Sequence, residues 1–216
     1  FFEPVQISDR AWYDYDADGL QGVSGEPGVP GVQVKLFTIS NTAAVDIFGN
    51  PVAVQTTDSS GVYTFSNLPP GNYYLVFVTT TVPANYVVTQ PNAGDETLDS
   101  DADPVTGQTR ATGFLSSGEQ DGDLAMGIHA FVSVGGYAWF DYNHNGLQDT
   151  GVEASSGVSD VRVALYYALT NQPVLDTNSQ PVHTFTNNSG LYSFGELLPG
   201  RYYVQFDLDT LPTGYT

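Results

Sequence analysis

The sequence contains no cysteine, so no disulfide framework holds it together and no thiolate is available for metal or nucleophile chemistry. Basic residues are scarce: five Lys and Arg stand against 24 Asp and Glu, a formal charge of −19. A surface of that sign repels phosphate backbones and anionic headgroups, so neither nucleic-acid binding nor simple membrane-surface binding is expected. No apolar run approaches the roughly 18 residues needed to span a bilayer, and no direct membrane insertion is expected. A helical period is missing too. The opening Phe1-Phe2-Glu3-Pro4 does not begin like a secretory signal, and the chain reads as mature or excerpted.

What the chain does have is apolar and aromatic content, 41% and 13%, too much for a disordered acidic polymer. It also has 23 Gly and 13 Pro spread along its length, as expected for many short strands joined by turns.

Self-comparison reveals a repeat. AWYDYDADGLQ (11–21) matches AWFDYNHNGLQ (138–148) at an offset of 127, which Glu26 and Glu153 keep. Two residues are then inserted in the second copy, after which Val32, Val34 and Leu36 match Val161, Val163 and Leu165. GVYTFSNLPPGNYYLVF (61–77) next matches GLYSFGELLPGRYYVQF (190–206), and Pro83 with Tyr86 matches Pro212 with Tyr215. The expected division is residues 1–130 and 131–216. Within each copy the apolar pattern has period two: Val32, Val34 and Leu36 alternate with Gln33 and Lys35, and Val161, Val163 and Leu165 alternate with Arg162 and Ala164. Tyr63 with Phe65, and Tyr73, Leu75 and Phe77, form further inward rows. Short antiparallel strands with one apolar face each predict an all-β chain of two tandem β-sandwiches, with Trp12 and Trp139 beginning matching strands as core anchors.

The first copy runs on through an acidic stretch, 95–103, to a last strand near Asp123–Ile128, whereas the second copy stops at Thr216. The second sandwich is therefore expected to lack its last strand within this chain, leaving an open sheet edge. Either the chain is an excerpt of a longer repeat protein or a neighbouring molecule donates the strand, which would make it a filament subunit. Ile128–Val134, between the copies, has no Pro and no Gly or Ser run and does not resemble a flexible tether.

The acidic loops carry the chemistry. Asp14, Asp16 and Asp18 at alternate positions, a Gly at 19, the carbonyl of Leu20 and a distal Glu26 resemble the oxygen shell of an EF-hand-like calcium loop. Glu26 falls one residue later than in the standard loop, and no flanking helices are predicted, so no helix-opening switch is implied. Asp141, Asn143, Asn145, Leu147 and Glu153 hold the same places in the second copy. Asn offers only a neutral oxygen, so that loop should bind more weakly. Such segments are also what tight turns prefer, but recurrence in both copies favours calcium. A second cluster, Asp99, Asp101 and Asp103, has the same spacing, and five carboxylates in nine residues repel one another without a counter-ion. Asp58 either joins a cluster or caps its own turn, with Asn187 as its counterpart.

In combination, AWYDYDADGLQ, GEPGVPGVQVKLF, TDSSGVYTFSNLPPGNYYLVF and DSDADPVTGQT resemble the B-type domains of serine-aspartate repeat surface proteins, relatives of collagen-adhesin B domains. The resemblance covers residues 5–128, and about 133–216 for all but the final part. It implies immunoglobulin-like or transthyretin-like sandwiches that bind Ca2+, become rigid, and serve as stalk, spacer or filament units of extracellular, cell-surface or secreted proteins. By position it carries over Asp14, Asp16, Asp18 and Glu26 as ligands, with Asp99, Asp101 and Asp103; the second copy has no acidic stretch to which the latter group transfers. Neighbouring repeats or copies of the same protein are the implied partners. An adhesive role, with a glycan or a protein as ligand, is the alternative. Related domains lock themselves with a Lys-to-Asn or Lys-to-Asp isopeptide bond; the only lysine, Lys35, alternates with Val34 and Leu36 and should face away from the core, so no such crosslink is expected.

Catalysis is not expected. Asp149-Thr150-Gly151 spells the tripeptide of an aspartic protease, but that chemistry needs two carboxylates sharing a proton and no second copy exists. His129, His144 and His183 are unclustered and should be surface or loop residues, which argues against a transition-metal site. Asn187-Asn188-Ser189 is a lone glycosylation sequon.

Overall fold

The computed structural model describes residues 1–22 and 25–214. Tyr215 and Thr216, where the repeat match ends, lie outside the described residues. The chain forms two compact units, Phe1–Ala130 and Phe131–Thr216. The first contains β1 (Val5–Tyr13), β2 (Gln33–Thr38), β3 (Gln55–Thr56), β4 (Val62–Leu68), β5 (Tyr73–Phe77), β6 (Tyr86–Val88), β7 (Gln108–Ala111), β8 (Gln120–Asp121) and β9 (Met126–Ala130). The second contains β10 (Val132–Tyr137), β11 (Arg162–Tyr167), β12 (His183–Phe185), β13 (Leu191–Leu197) and β14 (Tyr202–Phe206).

The first unit is a sandwich of two sheets. One runs β4-β1-β9-β6 with β8 against the start of β1; the other runs β3-β2-β5-β7. The alternation in sequence becomes the core. Val32, Val34, Leu36, Tyr63, Phe65, Tyr73, Leu75 and Phe77 are all buried, while Lys35 is exposed. Not every pairing is antiparallel as the sequence suggested. β1 runs parallel to β8 and to β9, with Trp12 opposite Gly127. Parallel neighbours need a long crossover, and here nearly the whole unit lies between Tyr13 and Met126.

The second unit repeats part of this plan, with β10 paired to β13 and a facing sheet β12-β11-β14. Val161, Val163 and Leu165 are buried. So is Ala164, expected on the outer side, because its one-carbon side chain lies low between neighbours His183 and Gln205. Among the described residues no strand takes the places of β6 to β9.

Both units are pinned by a glycine pair. Gly61 has φ +79°, and a Cβ there would lie 2.2 Å from the Ala11 carbonyl oxygen and 2.7 Å from the Gly28 Cα. Gly190, at φ +80°, stands in the same relation to Ala138 and Gly157. The turn preceding each is capped as one reading of Asp58 anticipated. Asp58 Oδ1 accepts from the N–H groups of Ser60 and Val62, and Asn187 Oδ1 from those of Ser189 and Leu191.

The tryptophans end rather than begin their strands. Trp12 is fully buried near the end of β1; Trp139 follows β10 and is only half-buried. His129, expected at the surface, is 6% exposed because it lies in β9, where strand pairing draws it inside; His144 and His183 are exposed.

Candidate metal centre

β1 delivers Asp14 to the edge of the sandwich, where it is buried, and the chain then turns sharply through Ala17 (φ +56°) and Gly19 (φ +83°). The turn folds its amides back onto the first carboxylate. Asp14 Oδ1 accepts from the Asp18 N–H (3.2 Å), and Oδ2 accepts from the Gly19 N–H (3.1 Å) and the Thr89 hydroxyl. Asp18 Oδ1 accepts from the Leu20 N–H (2.8 Å). Asp14, Asp16 and Asp18 each place a carboxylate oxygen within 4.8 Å of the others, and among the described residues no other set of His, Asp or Glu does so. Glu26 holds the loop shut, its Oε1 accepting from the Tyr15 N–H (2.9 Å) and Oε2 from the Gly22 N–H (2.6 Å).

The second copy repeats the backbone-amide part of this network. Asp141 accepts from the Asn145 and Gly146 N–H groups, Asn145 Oδ1 from the Leu147 N–H, and Glu153 from the Tyr142 and Asp149 N–H groups. These amide bonds hold the Asp141 carboxyl below its ordinary range, that from Gly146 most. The Asp149 carboxylate accepts from the side-chain amides of Asn143 (2.5 Å) and Asn145 (2.9 Å). Sequence reading places Asp149 inside the loop but not among its proposed ligands.

The second acidic cluster does not converge on one point. Asp103 is exposed and caps its own turn, accepting from the Thr106 and Val105 N–H groups, and those bonds lower its pKa. Asp99 and Asp101 turn inward. Asp101 Oδ1 accepts from Arg110 Nε (3.0 Å) and Oδ2 from the Ala125 N–H (2.8 Å). Burial outweighs both bonds and pushes its pKa up to about 7. Asp9, in the middle of β1, accepts from the Arg10 and Leu124 N–H groups, and desolvation likewise lifts it to about 7. No spacing rule in the sequence points to Asp9. Asp99 is 1% exposed, its Oδ1 has no hydrogen-bond partner, and desolvation raises its pKa. A bridge between Leu20 and Asp99 sets this stretch directly against the first loop.

Behind Asp14 lies a short polar relay. Thr89 Oγ1 contacts both Asp14 and His129 Nδ1 (3.1 Å), and burial lowers the His129 pKa. The donors around both loops are hard oxygens, the ligand type suited to calcium or magnesium rather than to a soft transition metal. Among the described residues no helix is long and apolar enough to cross a membrane.

Comparison with known proteins places these features in a family. The SdrD B-like domain model matches residues 5–128 and 132–216. The chain is 33% identical over 211 residues to serine-aspartate repeat-containing protein F of Staphylococcus epidermidis, covering 96% of the chain and 11% of that protein. It is 32% identical over 213 residues to serine-aspartate repeat-containing protein E of Staphylococcus aureus, covering 97% and 16%. Colossin-B of Dictyostelium discoideum is 31% identical over 237 residues, covering 97% and 6%. The chain thus spans a small fraction of each of these relatives. Among solved structures it is similar to the Bacillus anthracis TIE protein, with TM-score 0.40, 15% identity, and coverage of 95% of this chain and 29% of that one. It is also similar to a streptococcal ancillary pilin, with TM-score 0.37, 17% identity, and coverage of 99% and 55%. With a family match over both repeats, the chain belongs to the SdrD B-like domains.

Proposed function

We propose that the chain is a rigid structural module, a stalk, spacer or filament unit of an extracellular surface protein, and that Ca2+ bound in its acidic loops supplies the rigidity. The observation that carries this reading is the convergence of Asp14, Asp16 and Asp18 oxygens within 4.8 Å in a loop whose amide bonding recurs in the second copy. Three like charges held that close repel, and a divalent cation offsets the repulsion. The Leu20 carbonyl and Glu26 supply the remaining oxygens of the proposed site. Asp141, Asn143, Asn145, Leu147 and Glu153 form the weaker second site. Asp99, with its unpartnered buried oxygen, lies against the first loop and is the member of the second cluster offered to it; Asp101 is bonded to Arg110 and Asp103 caps its own turn.

The protein's own part is positional. Backbone amides orient the carboxylates of Asp14, Asp18 and Glu26, leaving their remaining lone pairs for the ion, and the ion ties the loop to the sandwich. At free calcium one hundred times the dissociation constant, a site that binds only the folded form adds about 2.7 kcal/mol. Isothermal titration with Ca2+ and melts with and without chelator test this: a saturable heat and a chelator-sensitive melting temperature are expected. Absence of both rejects the calcium reading.

An adhesive role is the second reading, and one observation favours it. A stacked aromatic pair recurs on the outer face of each unit, Phe37 with Tyr74 (5.4 Å between centroids) and Tyr166 with Tyr203 (5.1 Å). Rings presented flat suit a sugar face or an apolar protein patch. A glycan or protein ligand that saturates and is lost on Tyr203→Ala would establish it.

A further inference from the structure

We infer that the guanidinium of Arg110 is the resident counter-cation of the second acidic cluster. It takes the role that the resemblance gives to a metal ion there, and it fixes the stretch so that Asp99 alone is offered to the first loop. Oxygens from three separate segments meet on it: Arg110 Nε lies 3.0 Å from Asp101 Oδ1 and 2.9 Å from Glu96 Oε2, and Nη2 donates to the Asp123 carbonyl (2.9 Å). Two carboxylates and a carbonyl are what a hard cation would take. Here a fixed charge already holds them, and a guanidinium does not give up its proton in a protein.

Such a charge is rare in this chain. The first unit has Arg10, Lys35 and Arg110 as its Lys and Arg residues. Arg10 turns to the Glu26 carbonyl (3.4 Å) and Lys35 to solvent, so of the three only Arg110 makes ion pairs. β7 places it. Thr109 is buried, and the next side chain, Arg110, is one-third exposed where it meets an Asp101 side chain that is 1% exposed. A carboxylate so deep in the protein needs a partner, because removing one member of a buried pair leaves the other charge uncompensated.

The same contacts position Asp99. Asp101 is tied down on every side, Oδ1 by Arg110, Oδ2 by the Ala125 N–H (2.8 Å), and its own N–H by the Ala125 carbonyl (2.9 Å). Just before it the stretch lies along the first loop, the Ser100 N–H donating to the Gly19 carbonyl (3.0 Å) and the Gln21 N–H to the Leu98 carbonyl (2.6 Å). Between these two anchorages stands Asp99, bridged to Leu20, with its Oδ1 unpartnered. Arg110 is therefore a positioning residue for the first loop and not one of its ligands. Only the calcium measurements below rest on the proposed role of the loops; the coupling of Arg110 to Asp101 in chelator does not.

The test follows the first melting transition of the whole chain by calorimetry at pH 8, above the Asp101 pKa of about 7. Each variant is melted in chelator and in Ca2+ on the order of 10 mM, above the weak extracellular range of affinity. Arg110→Met keeps the apolar stem and removes the charge. In chelator it should lower the transition by at least about 5 °C, whereas Arg110→Lys should keep more than half of that stability. In calcium the methionine variant should recover at least about half of its loss, and titration should show an additional, weaker Ca2+ on the oxygens the guanidinium leaves. Asp101→Asn in the otherwise unchanged chain should alter Ca2+ affinity by no more than about threefold, where loss of a true ligand costs about tenfold or more. Should Arg110→Met prove too unstable to melt cleanly, the double variant with Asp101→Asn decides: removing both charges should cost much less than the two single losses added together. An equal loss in calcium and chelator, additive losses in the double variant, or a tenfold fall in Ca2+ affinity on Asp101→Asn would overturn the inference. A wild-type chain that gives no heat with Ca2+ rejects the reading of the loops; coupling in chelator then still upholds Arg110 as the counter-cation, and additivity overturns it.

Discussion

The two loops make nearly the same hydrogen bonds and meet very different surroundings. Asp14 and Asp141 accept from equivalent amides four and five residues on, and Glu26 and Glu153 accept from equivalent pairs. Yet Asp14 and Gly19 are buried beneath Thr89, His129 and Ala93, whereas Asp141 is half-exposed and Gly146 exposed. Loop conformation is thus local, set by Asp, Asn and Gly in the turn itself. Burial is tertiary, set by β6, β9 and the acidic stretch of the first unit. The most damaging way to break this comparison is to remove the cover. Gly127→Leu should drive a side chain into Trp12 and destabilise the first unit by about 3 kcal/mol, leaving the second transition in place. Calorimetry that resolves two melts checks it; a shift of both would mean the units do not melt separately.

This division explains what was legible in the sequence. The inward rows of β2, β4 and β5 were readable because a half-buried strand writes its period directly into the side chains. The acidic loop was readable for the same local reason. The parallel pairing of β1 with β9 was not, because it joins residues more than a hundred positions apart whose only mark is a glycine opposite a tryptophan. Nor was the inward turn of Asp99 and Asp101 beside the outward turn of Asp103. Alternation predicts all three on one face, but here the chain is in turns rather than a strand, and Asp103 is taken up by its own turn. Asp9 was invisible for a related reason: a carboxylate in mid-strand looks solvent-facing until Leu124 is brought against it.

Calcium gives the next largest expected effect. Asp14→Ala with Asp16→Ala should lower the first melting transition in saturating calcium by about 2–3 kcal/mol. In chelator the same variant should sit close to wild type, because the lost repulsion among the carboxylates offsets the lost amide bonds. The corresponding Asp141→Ala should change the second transition less in calcium, because neutral Asn143 and Asn145 stand at the places of Asp16 and Asp18. Equal responses of the two units would erase the distinction drawn between them.

Protons should compete for the same unit. Asp9 and Asp101 titrate near pH 7 in the folded chain and near 4 when unfolded, chiefly through desolvation. Between those values the folded state holds more protons, so stability is greater on the acid side and is lost as pH rises through about 7. In chelator the first transition should therefore gain on the order of 1 kcal/mol, a few degrees, on going from pH 8 to pH 5. The second unit has no counterpart of Asp101 and should stay flat over that range. Asp9→Asn should remove part of the gain. Differential scanning calorimetry across the range measures all three, and a first transition that weakens toward pH 5 would refute the sign.

The smallest effect asked for is the most discriminating, because it tries to turn the second loop into the first. Asn143→Asp with Asn145→Asp restores the three-carboxylate pattern at residues 141, 143 and 145. Without calcium the change should lower the second melt, since both side-chain amides now donate to Asp149 and would be replaced by like charges. With calcium it should raise affinity at that loop by about tenfold, roughly 1.4 kcal/mol, because ligand charge is what the copies differ in. A gain in both conditions would mean the Asn–Asp149 bonds are not what holds the loop. No gain in calcium would mean that burial beneath β6 and β9, and not charge, sets the first loop apart.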